Sequence, residues 1–294
     1  MTKIIRKERL SRDVYRMVLD APAIARARKA GQFVILMPDD EFSERIPLTI
    51  ADADALGGTV TIIFQAVGAT TRRLAEKEEG GAVAHLLGPL GQGTRIERLS
   101  GPVVCVGGGI GAAPLYPIVQ AMKAAGNRVI VILGARNAEL LILEEEMRAL
   151  ADELVVVTDD GSRGRKALVT EPLKEFCGAS GAAAEKASQV VAIGPPVMMK
   201  FCAQATRPYG VPTVVSLNTI MVDGTGMCGG CRVTVGGAVK FVCVDGPEFD
   251  GHLVDWDSML RRLTSYKAEE AHACRLMEAA KGLEAKELES GRAR

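Results

Sequence analysis

The residues with the most chemistry in them are Asp223, Cys228, Cys231 and Cys243. Their spacing is that of a C-x4-C-x2-C…C frame, in which four thiolates hold a 2Fe-2S cluster, with an aspartate standing where the first cysteine would be. The same donors, with Asp223 or His252 completing the set, suit a tetrahedral zinc ion. The glycines favour the cluster. Gly224, Gly226, Gly229 and Gly230 let the backbone wrap closely around inorganic sulfides and turn N–H groups toward them, which a compact zinc does not require. Such a site moves single electrons. The other cysteines, Cys105, Cys177, Cys202 and Cys274, sit singly among apolar residues and read as small buried hydrophobes. Spaced cysteines in a chain whose start shows no secretory apolar run point to a reducing compartment, the cytoplasm.

A second group of residues has the chemistry of nucleotide binding. Gly107, Gly108, Gly109 and Gly111 follow the apolar run Val103–Val106 and precede a helical stretch. There, backbone N–H groups and a helix N-terminus can approach a pyrophosphate without intervening Cβ atoms. A purely structural tight turn would use the same residues, and the spacing is not the common G-x-G-x-x-G. Arg45 offers a forked donor for phosphate, and Pro47, Leu48, Thr49 and Ile50 continue its strand, with the Thr49 hydroxyl available to a flavin ring. Gly68, Ala69, Thr70 and Thr71 open a helix whose first amides suit an anion. Ala135 and Arg136, and then Asp159 and Asp160, lie just beyond two strand-like runs. The acidic pair suits a free ribose 2′-hydroxyl and the arginine a 2′-phosphate.

These groups need elements to position them. Short runs at residues 14–19, 33–37, 47–50 and 59–64, separated by turn residues, predict a small antiparallel barrel or sandwich over residues 1–98. From residue 99 to 215 the rhythm becomes strand, turn and helix, with apolar strands at 103–106, 129–133, 154–157 and 190–193. That predicts a parallel sheet covered on both faces, an α/β domain. Residues 216–294 hold the cysteine module and a charged helical tail, whose apolar positions Leu260, Leu263, Tyr266, Leu276 and Met277 could cap this chain or dock on another. The stretch 178–187 reads as a turn. His85 is expected to be structural and His252 to donate a hydrogen bond close to the cluster ligands.

In this order, Arg45 to Ile50, Gly68 to Thr71, Gly88-Pro89-Leu90-Gly91 and the glycine turn at 107–111 resemble the ferredoxin reductase superfamily, which pairs an FAD-binding barrel with an NAD(P)-binding parallel sheet. Gly194 and Pro195, after the last apolar strand, resemble its nicotinamide-side motif, with Ile193 where many members have cysteine. Ser216 to Met221, followed by the cysteines, resembles the electron-transfer subunits of dihydroorotate dehydrogenase, which carry FAD and a four-cysteine 2Fe-2S cluster. Asp223, and the run from Cys243 to Trp256, look more like the small subunits of NADH-dependent ferredoxin:NADP oxidoreductases. That second resemblance implies NADH at this chain and a large iron-sulfur flavoprotein partner through which ferredoxin and NADPH react, coupled by flavin-based electron bifurcation.

A nicotinamide exchanges two electrons as hydride, an iron-sulfur cluster one at a time, and a flavin can do both. The order of barrel, sheet and cluster therefore reads as a wire from NAD(H) through FAD to the cluster, with no side chain needed as acid, base or nucleophile. Three readings follow: a transhydrogenase subunit, a dihydroorotate dehydrogenase electron-transfer subunit, and a zinc-stabilised flavoprotein module that moves no single electrons. Composition excludes some others. With 36 Lys+Arg against 36 Asp+Glu in 294 residues, no basic surface recommends nucleic acid. The long uncharged stretch from residue 99 to 122 is broken by glycines and by Pro114 and Pro117, which suits a strand, turn and buried helix better than a membrane span.

Overall fold

A computed structural model describes residues 1–40, 43–179 and 185–292, with side chains to residue 280. The predicted turn at 178–187 therefore lies partly outside the described residues.

The first unit is an antiparallel sheet of β1 (Thr2–Arg9), β2 (Val14–Asp20), β3 (Phe33–Met37), β4 (Ile46–Asp54), β5 (Thr59–Gln65), β6 (Ala82–Val83) and β7 (His85–Leu90), in the order β6-β1-β2-β5-β4-β3-β7. Helices α1 (Pro22–Ala27) and α2 (Ala69–Glu76) complete it. Alternation along the strands sends Met17, Leu19, Val34, Leu36, Ile50, Ile62 and Phe64 into one core, and helix residue Leu74 closes it. Strand β1 carries the charges of Lys3, Arg6, Lys7 and Glu8 at an outer position of the sheet. Its apolar signal is correspondingly weak.

The second unit is a sheet ordered β11-β10-β9-β8-β12-β13-β16, with β16 (Glu248–Asp250) at its edge. It comprises β8 (Val103–Gly108), β9 (Val129–Ala135), β10 (Glu153–Thr158), β11 (Arg165–Lys166), β12 (Gln189–Ile193) and β13 (Thr213–Ser216), all parallel. Helices α3 (Ala112–Ala124), α4 (Glu144–Leu150), α5 (Thr170–Cys177) and α6 (Pro196–Thr206) supply the crossovers. Strands β8 and β9 are continuous apolar runs because both their faces are covered. The uncharged stretch from residue 99 folds as strand, glycine turn and buried helix, as its composition implied, and among the described residues no helix is long and apolar enough to cross a membrane.

The third unit has a hairpin of β14 (Arg232–Val235) and β15 (Ala238–Phe241), a turn of helix α7 (Val242–Asp245), strand β16 (Glu248–Asp250), and helices α8 (Trp256–Arg262) and α9 (Lys267–Arg292). Strand β16 pairs antiparallel with β13, so the cysteine module contributes an edge to the parallel sheet. It also shares a core. Leu217, Met221, Val233, Val242, Trp256 and Met259 lie in one apolar cluster with Phe33 and Ile35 of the barrel and Val104 and Ile132 of the sheet. Helix α9 returns to the barrel, where Glu278 accepts from Arg72 of α2 at 2.8 Å and Met277 is buried, while Tyr266 and Leu276 stay exposed.

Candidate functional site

The sulfur donors come from two different local structures. Cys231 ends the glycine-rich loop and Cys243 lies in α7, and the β14–β15 hairpin between them folds back to bring their sulfurs to 3.3 Å. Both are buried. Burial, then the neighbouring Cys231, pushes the Cys243 thiol up to about 12. Asp223 and Cys228 form the other pair, where Asp223 Oδ2 accepts from the Cys228 N–H at 2.6 Å and Oδ1 from the Thr225 N–H at 2.8 Å. Those backbone donors, Thr225 first, hold the Asp223 carboxyl below its usual range. It is a carboxylate at neutral pH, able to act as an oxygen donor. Gly224 and Gly226 have φ of +73° and +88°, so this loop conformation is open to glycine and strained for other residues.

Two pairs of donors fit a binuclear cluster better than a single ion. In a 2Fe-2S cluster with four protein ligands each iron takes two. A structural zinc instead needs four donors around one point. The Gly230 N–H points at Cys228 Sγ (3.4 Å) and the Cys243 N–H at Cys231 Sγ (3.5 Å), contacts of the kind that tune thiolates at a cluster. His252 is elsewhere. Its Nε2 lies 2.9 Å from Thr206 Oγ1 at the end of α6, in a buried group with Thr213. The expectation that it donates near the cluster, and its candidacy as a zinc ligand, are both corrected by that position.

The glycine turn opens a cleft of about 850 Å³ at the carboxyl ends of the strands, where open α/β sheets bind ligands. Gly108, Gly109, Ala135, Arg136, Asp159 and Pro195 line it. The glycines have different work. Gly109 has φ +54° and open space on the side a Cβ would occupy, the arrangement a phosphate needs. A Cβ on Gly107 would meet Leu115 and Leu133, and one on Gly111 would run into the Ile193 carbonyl, so these two permit close helix–strand packing. Gly194 has the same function against Met198. Asp160 accepts from the backbone and hydroxyl of Ser162 (2.9 and 2.6 Å) and thereby shapes its own turn, leaving Asp159 facing the cleft. The sequence reading did not include Lys174, Phe201 and Tyr209, which also line the cleft. Val197, Met198, Phe201, Gln204 and Ala205 share one face of α6, a helical spacing that was available as a signal.

On the barrel, Pro47, Leu48, Thr49 and Ile50 lie on β4, with exposed Arg45 just before it. Phe33 and Thr49 are register partners between β3 and β4. Gly68 caps α2, and Thr71 Oγ1 accepts from the Gly68 N–H at 3.0 Å. The first helical turn, Ala69 to Thr71, keeps amides with no partner inside the helix, a setting for an anion. Thr70 turns inward and accepts from the Glu44 N–H at 3.3 Å. The cluster loop sits directly on this barrel, since a Cβ on Gly224 would lie 2.7 Å from Ile35 Cγ1 of β3 and Leu90 Cδ1 of β7.

Residues 105–204 match the family of oxidoreductase NAD-binding domains, and residues 218–255 match the iron-sulfur cluster binding domain of dihydroorotate dehydrogenase B. Over 270 residues the chain is 44% identical to a homologue of the dihydroorotate dehydrogenase B electron-transfer subunit from Thermotoga maritima, covering 92% of this chain and 93% of that one. The chain belongs to the dihydroorotate dehydrogenase B electron-transfer subunit family. It is an electron-transfer subunit of an oxidoreductase, and subunits so named work with another chain. An uncharacterized family relative from Clostridium beijerinckii is 51% identical over 279 residues, 93% of each chain. Among solved structures, a chain of the NADH-dependent reduced ferredoxin-NADP oxidoreductase, a flavin-based electron-bifurcating enzyme, superposes with a TM-score of 0.86 at 43% identity, covering 94% of this chain and 97% of that one. The iron-sulfur family match spans Asp223 and all three cysteine donors, and the nucleotide family match spans the glycine turn and most of the residues that line the cleft.

Proposed function

We propose that this chain is the NADH-side subunit of a bifurcating ferredoxin:NADP transhydrogenase. It passes electrons between NAD(H), FAD and a 2Fe-2S cluster to a large iron-sulfur flavoprotein partner, on which ferredoxin and NADPH react. Bound FAD supplies the exchange between hydride and single electrons. The chain's own residues hold and orient. Arg45 and the α2 amides are assigned to the flavin phosphates, and Thr49 to its ring side. Gly109 is assigned to the dinucleotide phosphates and Asp159 to a free ribose 2′-hydroxyl, which favours NADH over NADPH. Asp223, Cys228, Cys231 and Cys243 are assigned to the cluster. Residues 1–98, 99–215 and 216–294 are taken as the three cofactor units, and the cytoplasm as their compartment.

One observation carries this reading. The inner donors Cys231 and Cys243 are buried against the core shared with the barrel, whereas Cys228 is exposed beside Met227, which is 89% exposed. The cluster loop thus touches the barrel at Gly224 and reaches solvent at Met227 and Cys228, where a partner can take electrons. The aspartate favours the transhydrogenase over a dihydroorotate dehydrogenase, whose cluster resembles a four-cysteine type. The family relationship keeps the dihydroorotate reading as the second one. Affinity purification of the chain from its native cell separates them. Recovery of a large iron-sulfur flavoprotein supports the first reading, and recovery of a dihydroorotate-oxidising barrel contradicts it. Zinc with only flavin absorption in the purified chain would contradict both.

A further inference from the structure

The chain leaves the barrel at Leu90 and enters the parallel sheet at Val103, and all three units meet on the linker between them. On the barrel side, Gln32 Nε2 donates to the Gly91 carbonyl and the Thr94 N–H to the Ala30 carbonyl, both at 2.8 Å. On the cluster side, the Gln92 N–H donates to the Gly246 carbonyl at 2.6 Å and Gln92 Nε2 to the Val244 carbonyl at 2.9 Å. Thr94 Oγ1 donates to Glu248 Oε1 at 2.5 Å. Glu248 lies on β16, the strand that ties the cysteine module into the sheet, and Val244 follows the donor Cys243. Gly31 of the barrel approaches the carboxyl closely, for a Cβ there would lie 2.8 Å from Glu248 Oε1. Glu248 and Thr94 are not among the residues assigned to a cofactor, and neither lines the cleft.

We propose that the Thr94–Glu248 contact is a positioning device for electron transfer, clamping the barrel-to-sheet linker to β16 and so fixing the cluster module against the flavin barrel. This rests on the reading of those two units as FAD and cluster carriers. Transfer between redox centres falls steeply with their separation, so a clamp at this junction acts on the rate without touching either cofactor.

The clamp titrates in the neutral range. Burial pushes the Glu248 carboxyl up to about 7, opposed by the Thr94 hydrogen bond. The Cys105 thiol on β8 is itself held up at about 12, by burial first and then by the charge of Glu248. The charged groups nearby on the linker side are Lys29, whose stem packs at Gly93, and the exposed Arg95–Glu97 pair. Because burial favours the protonated acid, keeping the Glu248 carboxyl in its buried place costs more as pH rises through about 7, although the Thr94 hydroxyl donates to the carboxylate as well. A released carboxyl ionises near 4.5, so opening of the junction becomes about tenfold more favourable between pH 6 and pH 8.

Hydrogen exchange at the Gln92 and Thr94 amides of the full chain tests this, alongside the rate at which NADH reduces the cluster. In the wild-type chain, after correction for intrinsic exchange, the rate is expected to rise about tenfold from pH 6 to pH 8, with cluster reduction slowing in parallel. Glu248→Gln keeps an acceptor that cannot ionise and is expected to exchange slowly at both pH values, with a flat reduction profile. Thr94→Val is expected to exchange fast and reduce the cluster slowly at both. A Glu248→Gln chain that retains the wild-type pH dependence, or a Thr94→Val chain unchanged in exchange, overturns the proposal. Absence of a cluster from the wild-type chain would instead contradict the functional reading, a result the exchange measurement does not share.

Discussion

Asp223 is the residue on which the chemistry turns. Its carboxylate is held in place by two backbone donors of its own loop, so the oxygen is oriented by the same turn that carries Cys228. Asp223→Cys is expected to keep the cluster and shift its potential. Asp223→Ala is expected to lose iron on gel filtration, and an unchanged iron content and spectrum there would remove Asp223 from the ligand set. The glycine turn gives a second contrast between neighbours that look alike in sequence. Gly109→Ala places a Cβ toward the cleft at a positive φ, so a raised KM for NADH is expected, with a stability cost of about 1–2 kcal/mol. Gly111→Ala forces a Cβ into the Ile193 carbonyl, and a larger fall in thermal stability with little selective effect on KM is expected. Steady-state kinetics beside thermal denaturation separate the two.

The elements that were legible in the sequence are those whose apolar pattern is local. Strands β2 to β5 and β8 to β10 alternate or run continuously, and the change of rhythm near residue 99 marks where barrel gives way to sheet. What was not legible depends on partners distant in sequence. The edge strand β16 has three residues, two of them charged, and only pairing with β13 makes it a strand. Lys174 reaches the cleft because α5 packs beside α6, which no local pattern states. The donors were legible as a set, but the burial of Cys231 and Cys243 together, apart from half-buried Asp223 and exposed Cys228, follows from the hairpin between those two cysteines. Helix α9 gives an element-scale test. Its Arg72–Glu278 pair is largely exposed, so Arg72→Ala is expected to cost under about 0.5 kcal/mol. Met277 is buried on the helix that contacts α2, and Met277→Ala is expected to cost about 1–2 kcal/mol. Chemical denaturation of the two variants checks the order, and the reverse order would mean that the tail is held by charge.

Across the whole molecule the three units behave as one body because they share cores. Val14, Ala51 and Ile63 of the barrel pack with α3 and the sheet, while Phe33 and Ile35 pack with the cysteine module. The nucleotide cleft, the flavin barrel and the cluster loop are thereby set in fixed succession, with exposed Cys228 at the outer end. That succession is the central claim, and anaerobic addition of NADH to the purified chain, followed by visible absorption and electron paramagnetic resonance with iron and sulfide analysis, tests it most directly. The flavin bands are expected to bleach, a reduced 2Fe-2S signal to appear, and iron and sulfide to match one such cluster per chain. Bleaching of flavin alone, with zinc in place of iron, would contradict the account.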